Sequence, residues 1–118
     1  MRAGIVMNDE SCFLPIAELT ARYADGTLSP VEVARAHLAR AARFEPQLQA
    51  FQLIDETGAV RAAEASETRW RSGAPVGALD GIPLTIKDNV DVAGFPTRHG
   101  SRTSDDTPAA TDAPVVAR

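Results

Sequence analysis

The sequence predicts an α/β architecture, with peripheral helices followed by strands of a mixed central sheet. Three observations point to this class. The run Ser29-Pro30-Val31-Glu32 is a capping box with proline at the first helical position, and it opens a long amphipathic stretch. A second helical pattern, rich in alanine, spans Gly58 to Arg71. Two short apolar runs, Ala50 to Ile54 and Ile82 to Lys87, have the length and residue types of strands.

The elements follow in order. Residues 1–14 read as a loose N-terminal arm, too short in its apolar part to be a secretory signal. A first helix is expected from Pro15 to Tyr23, with Ile16, Leu19 and Tyr23 on one face, and Asp25-Gly26 stops it because glycine suits the left-handed position after a helix. The helix opened by the capping box carries Val31, Ala34, Leu38 and Ala41 as an apolar stripe, broadened by Val33, His37 and Phe44; Pro46 is expected to end it. The alanine-rich helix aligns Ala59, Ala63, Ser66 and Trp70, and Trp70 reads as its anchor on a core. Residues 97–111 are polar and turn-rich and read as a mobile surface loop. Asp112 then has the position of an N-cap for a helix over residues 113–118, and a capped helix that stops so soon suggests a truncated domain.

Composition narrows the function classes. With 118 residues, 44% hydrophobic and 24% charged, the chain reads as soluble and globular. A formal net charge of -4 argues against electrostatic nucleic-acid binding, and no apolar stretch has the length of a membrane span. One cysteine, Cys12, excludes an intrachain disulfide and makes the cytoplasm the default location; with no adjacent base it reads as incidental. His37 and His99 share no metal-ligand spacing, and His37 reads as a packed histidine. The glycines of the Gly77–Gly81 approach lack the Gly-Lys-Ser/Thr ending of a phosphate loop. No cofactor is expected.

Lys87 is the only lysine in the chain. Arginine holds its proton near neutral pH, whereas a lysine in a dry pocket can release it. An unperturbed lysine has a pKa of about 10.4, so roughly one in two thousand is neutral at pH 7, and catalytic lysines are brought to about 7–8. On a central strand Thr85 and Lys87 share one face and Leu84 and Ile86 the other, which would aim Lys87 into a partly dry space. The plain alternative is a charged Lys87 paired with Asp88 or Asp91 at a strand end.

Beyond the lysine, Leu79-Asp80-Gly81-Ile82-Pro83, Lys87-Asp88-Asn89, Asp91-Val92-Ala93-Gly94, Pro96-Thr97 and Gly100-Ser101 together resemble the lysine block of the amidase signature family. The helices from about residue 15 and the run from Asp112 to Arg118 resemble what flanks that block. The resemblance implies that residues 15–118 are an incomplete N-terminal portion of an amidase-signature domain. It implies a Ser-cisSer-Lys hydrolase that cleaves carboxylic amides through an acyl-enzyme, with Lys87 as the base and Asp88 and Asn89 as supporting residues. The implied partners are a small amide substrate and the remainder of the same chain, with a homo-oligomer possible and neither nucleic acid nor membrane expected.

Two departures stand out. The glycine- and serine-rich block with both catalytic serines has no counterpart here; Ser11, Ser101 and Ser104 read as turn or surface serines. The piece alone is therefore expected to be inactive, and its unpaired strand edges and apolar surface to favour self-association. Thr97 is followed by Arg98-His99, where many members have a threonine and a small residue, which bears on substrate subtype. Three other readings stay open: the amide-cleaving component of a glutamine-dependent tRNA amidotransferase, a lyase with Lys87 as a Schiff-base nucleophile, and a small non-enzymatic interaction module.

Overall fold

The computed structural model describes residues 9–118, which fall into two compact units, one ending at Pro83 and one spanning Leu84–Arg118. The first unit is helical. A 3-10 turn, Asp9–Phe13, leads into α1 (Ile16–Asp25), α2 (Pro30–Leu48) and α3 (Glu56–Arg71). The second unit is irregular apart from the short α4 (Pro114–Ala117).

Local chemistry accounts for the helix ends. The capping box forms: Ser29 Oγ accepts from Glu32 N–H at 3.0 Å, and Glu32 Oε2 accepts from Ser29 N–H at 2.8 Å. Gly26 closes α1 in the left-handed conformation at φ 77°. Asp55 caps α3 by accepting from Gly58 N–H, so the helix starts two residues before the expected Gly58. Pro46 does not end α2. It sits in the exposed last turn, where the carbonyl of exposed Ala42 that loses its N–H partner is left to water. The stop comes at Gln49, left-handed at φ 47°, whose N–H reaches Glu45 O.

The core of this unit is small. Leu19, Tyr23 and Val33 are buried together, with Leu14, Leu28, Trp70 and Ile82 packed around them. The rings of Tyr23 and Trp70 lie tilted, with centroids 5.9 Å apart, a favourable aromatic geometry. The buried face of α2 is Pro30, Val33, Ala34 and Ala36, so the stripe is centred nearer Val33 than expected, with Val31 and Leu38 at its margin. Ile16 is left exposed. His37 is half-buried, and its Nδ1 lies 2.8 Å from Val33 O.

The N-terminal arm is expected to be loose. Residues 1–8 lie outside the described residues. Asp9–Phe13 is instead fastened to α2: Asp9 Oδ2 accepts from Arg40 Nη1 at 3.0 Å and Arg43 Nη2 at 2.6 Å, and the Arg40 guanidinium lies over the rings of Phe13 and Phe44.

The expected strands are absent: no residue is in a named strand among the described residues. Ala50 to Ile54 is irregular, with Phe51, Leu53 and Ile54 exposed, and Ile82 to Lys87 is irregular as well, with Leu84 and Ile86 exposed. A strand exists through its ladder, and neither segment has another to share one with. Among the described residues two isolated bridges form in place of a sheet, Ala93 with Ala109 and Pro96 with Pro108. No helix among the described residues is long and apolar enough to cross a membrane.

Candidate active site

The block leading to Lys87 begins in the helical unit, where Asp80 ties it down. Its carboxylate is buried and accepts from Arg69 Nε at 2.8 Å, Arg69 Nη2 at 2.6 Å and Val76 N–H at 3.0 Å. The Arg69 fork holds the Asp80 carboxyl well below the usual carboxylate range; burial opposes this, and the Val76 amide reinforces it. Its main-chain oxygen accepts from Trp70 Nε1 at 3.0 Å.

Gly81 follows at φ 83°, and its carbonyl accepts from Tyr23 Oη at 3.1 Å. A Cβ there would lie 2.6 Å from Ser66 Oγ and 2.9 Å from Pro30 Cγ, so both the backbone angle and the space demand glycine. Burial pushes the Tyr23 hydroxyl up to about 12. These contacts seat Ile82 against the core. The knot leaves no signature in the sequence, because Arg69 and Asp80 belong to different elements and no spacing rule joins them.

Lys87 lies in the second unit. It is exposed, on an irregular segment rather than a strand, and its carbonyl accepts from Val90 N–H at 3.0 Å, closing the turn Lys87-Asp88-Asn89-Val90. The dry face expected around it is not formed by these residues. The alternative pairing with Asp88 or Asp91 is not formed either: among the described residues no ion pair joins Lys87 to a carboxylate, and each aspartate gives one carboxylate oxygen to another partner. Asp88 Oδ1 accepts from Arg98 N–H at 2.9 Å, and Asp88 O accepts from His99 N–H at 2.8 Å. Asp91 Oδ1 accepts from Thr97 Oγ1 at 2.6 Å, and Asp91 O from Ala113 N–H at 2.9 Å. Asn89 is exposed in the turn.

The stretch expected to be a mobile loop is therefore cross-tied. Residues Arg98 to Ser101 form a tight turn with His99 and Gly100 both at positive φ, closed by Ser101 N–H on Arg98 O at 2.9 Å. Ser104 Oγ donates to the same carbonyl at 2.7 Å, and Arg98 pairs with Asp106. At the base, Gly94 N–H reaches Ala109 O and Ala109 N–H reaches Phe95 O, each at 2.9 Å. Asp112 does not cap α4. Its Oδ1 accepts from Ala93 N–H at 2.7 Å, and Ala113 takes the cap position without a side-chain bond.

The remaining candidates belong to the helical unit. Cys12 is half-buried in the 3-10 turn, where burial and then Asp9 push its thiol up, against the pull of Arg40 and Arg43. An open cleft of about 490 Å³ is lined by Glu10, Ser11, Phe13, Leu14, Arg22 and Leu28, all in the helical unit. No group of three or more His, Cys, Asp or Glu among the described residues could hold a metal ion.

A lysine turn braced by aspartates, preceded by an anchored Leu-Asp-Gly-Ile-Pro run, falls within a wider match: the model of the amidase family, described as Amidase, matches residues 32–118. The chain belongs to the amidase family. Among curated relatives it is similar to the A-type component of the glutamyl-tRNA(Gln) amidotransferase of Myxococcus xanthus, 44% identical over 103 residues, which covers 87% of this chain and 21% of that protein. It is also similar to the indoleacetamide hydrolase of Bradyrhizobium diazoefficiens, 40% identical over 91 residues, covering 77% of this chain and 17% of that protein. The corresponding amidotransferase component of Salinispora arenicola is 40% identical over 89 residues, covering 75% of this chain and 18% of that protein. The chain thus spans about a fifth of the length of these curated relatives.

Proposed function

We propose that this chain is the N-terminal portion of a cytoplasmic Ser-cisSer-Lys amide hydrolase and that Lys87 is its base. The observation that carries the proposal is the engagement of Asp88 and Asp91. Each gives its Oδ1 to a neighbour, Arg98 N–H or the Thr97 hydroxyl, and among the described residues no ion pair joins Lys87, the lone lysine of the matched block, to either carboxylate. In the parent protein the Lys87 amine takes a proton from a bridging serine, which in turn takes one from the nucleophilic serine. That oxygen attacks the amide carbonyl, the amine leaves with a proton, and water cleaves the acyl-enzyme. The irregular segments around Phe51 and Ile86 become strands when the rest of the parent supplies partners. The 118-residue piece alone is inactive, because a base without its serines lacks most of the transition-state stabilisation.

The test uses the protein from the complete reading frame, assayed for ammonia release from indoleacetamide and from glutamine. Lys87→Ala is expected to abolish turnover. Lys87→Arg is expected to fail as well, because it keeps the charge and cannot accept the proton. Substantial turnover by the arginine variant overturns the base role.

A second reading, the amide-cleaving component of a tRNA amidotransferase, is favoured by the names of the Myxococcus and Salinispora relatives. Under it, the absence of a nucleic-acid partner expected from composition does not hold, because a tRNA-bound acceptor and partner proteins enter the reaction. Glutamine-dependent ammonia release that appears only with added partner proteins selects this reading, and hydrolysis of indoleacetamide by the protein alone selects the first.

A further inference from the structure

We infer that Asp88 is a positioning residue for the lysine site and acts as a hydrogen-bond clamp rather than through its charge. This rests on the reading of Lys87 as base and adds how its backbone is held. Asp88 is the residue directly after Lys87 and sits inside the turn that Lys87 opens. It grips the Arg98–Ser101 turn twice, with Oδ1 on Arg98 N–H at 2.9 Å and with its carbonyl on His99 N–H at 2.8 Å. The gripped turn has further ties of its own, the Ser104 hydroxyl on Arg98 O and the Arg98–Asp106 pair.

The neighbouring Asp91, with Oδ1 on Thr97 Oγ1, makes a second tie three residues on. Three hydrogen bonds therefore join the lysine turn to the Thr97–Ser101 stretch. A base must keep its nitrogen within hydrogen-bond reach of the group it deprotonates, and an error of about 1 Å costs on the order of 100-fold. The side chain itself is exposed, so a braced backbone is what this chain contributes to its aim.

A clamp and a charge make opposite predictions for the conservative variant. An asparagine keeps an oxygen for Arg98 N–H and loses the negative charge; an alanine loses both. In the full-length enzyme Asp88→Ala is expected to lower kcat about 100-fold with KM little changed, whereas Asp88→Asn stays within about tenfold of the parent. Amide exchange at Arg98 should accelerate in the alanine variant and stay slow in the asparagine variant. Should Asp88→Ala fail to fold, Ser104→Ala tests the same brace from the other side, with an expected loss of about threefold to tenfold in kcat.

Equal losses in Asp88→Ala and Asp88→Asn overturn the clamp in favour of charge, and unaltered kcat in Asp88→Ala or Ser104→Ala overturns it outright. Failure of the underlying reading looks different: Lys87→Ala then remains active, whatever the Asp88 variants do.

Discussion

Each of the two units of this molecule is ordered internally by a different force. The helical unit has a buried centre in which Val33 is fully enclosed and Leu19 and Tyr23 are nearly so. None of the described residues from Leu84 to Arg118 is buried, although Leu84 and Val115 are large and apolar. What orders the second unit is a set of side-chain to backbone hydrogen bonds, in which Asp88 and Asp112 meet main-chain N–H groups from distant parts of the segment. Apolar burial stabilises in proportion to area, whereas an exposed hydrogen bond competes with water and nets far less. The second unit thus has its shape specified locally and lacks a core of its own, as suits a stretch within a chain that spans about a fifth of its relatives.

Gly81 offers the strongest test of this contrast. Gly81→Ala adds a Cβ at 2.6 Å from Ser66 Oγ on a backbone with φ 83°. Overpacking and strain together should cost about 2–4 kcal/mol in a denaturant melt followed by helical circular dichroism. A cost below about 1 kcal/mol would show that the knot yields, and that the helical unit is less tightly packed than its geometry suggests.

Next comes the acid limit. The folded Asp80 carboxyl is held below its unfolded value, so its contribution is fully present above the unfolded pKa of about 3.9 and fades as pH falls from there toward the folded value. Melting temperature should fall below about pH 4–5, and Asp80→Asn should be less stable at neutral pH with a flatter acid limb. An acid limb of equal steepness in the variant would assign the acid loss to other carboxylates.

Tyr23 gives a weaker effect with the opposite sign in pH. Its folded pKa is raised to about 12, so the stability it brings is complete below the unfolded value near 10 and is lost as pH rises through about 12. It is the only tyrosine in the chain, so phenolate absorbance reports it alone. Titration should show one late midpoint, and Tyr23→Phe, which removes the bond to Gly81 O, should cost about 0.5–1.5 kcal/mol in the same melt.

The weakest effect belongs to the second unit. Asp112→Ala should speed amide exchange at Ala93 while changing stability by about 0.5–1 kcal/mol or less. A loss of several kcal/mol there would contradict the picture of a unit without its own core.

How much of this was legible depends on range. The capping box and the Gly26 stop are read within one helical turn or two, and the structure has them as expected; of the expected face Ala59, Ala63, Ser66 and Trp70, the last three turn inward and Ala59 is exposed. Pro46 misled because proline weakens a helix interior far more than an exposed last turn. Asp112 misled for a related reason: an aspartate before a helix can cap it, yet here the same oxygen finds Ala93 N–H. The strands failed at a larger scale, since their residue types were right and their pairing partners were missing.

The family, the capping box of α2 and the glycine stop of α1 are written in contiguous residues. It took the folded chain to bring Arg69, Trp70 and Tyr23 together on Asp80 and Gly81, and to set Asp88 against Arg98 and His99. A hydrogen bond depends on distance and angle in space, and residues ten or more positions apart acquire those only when the chain folds back on itself.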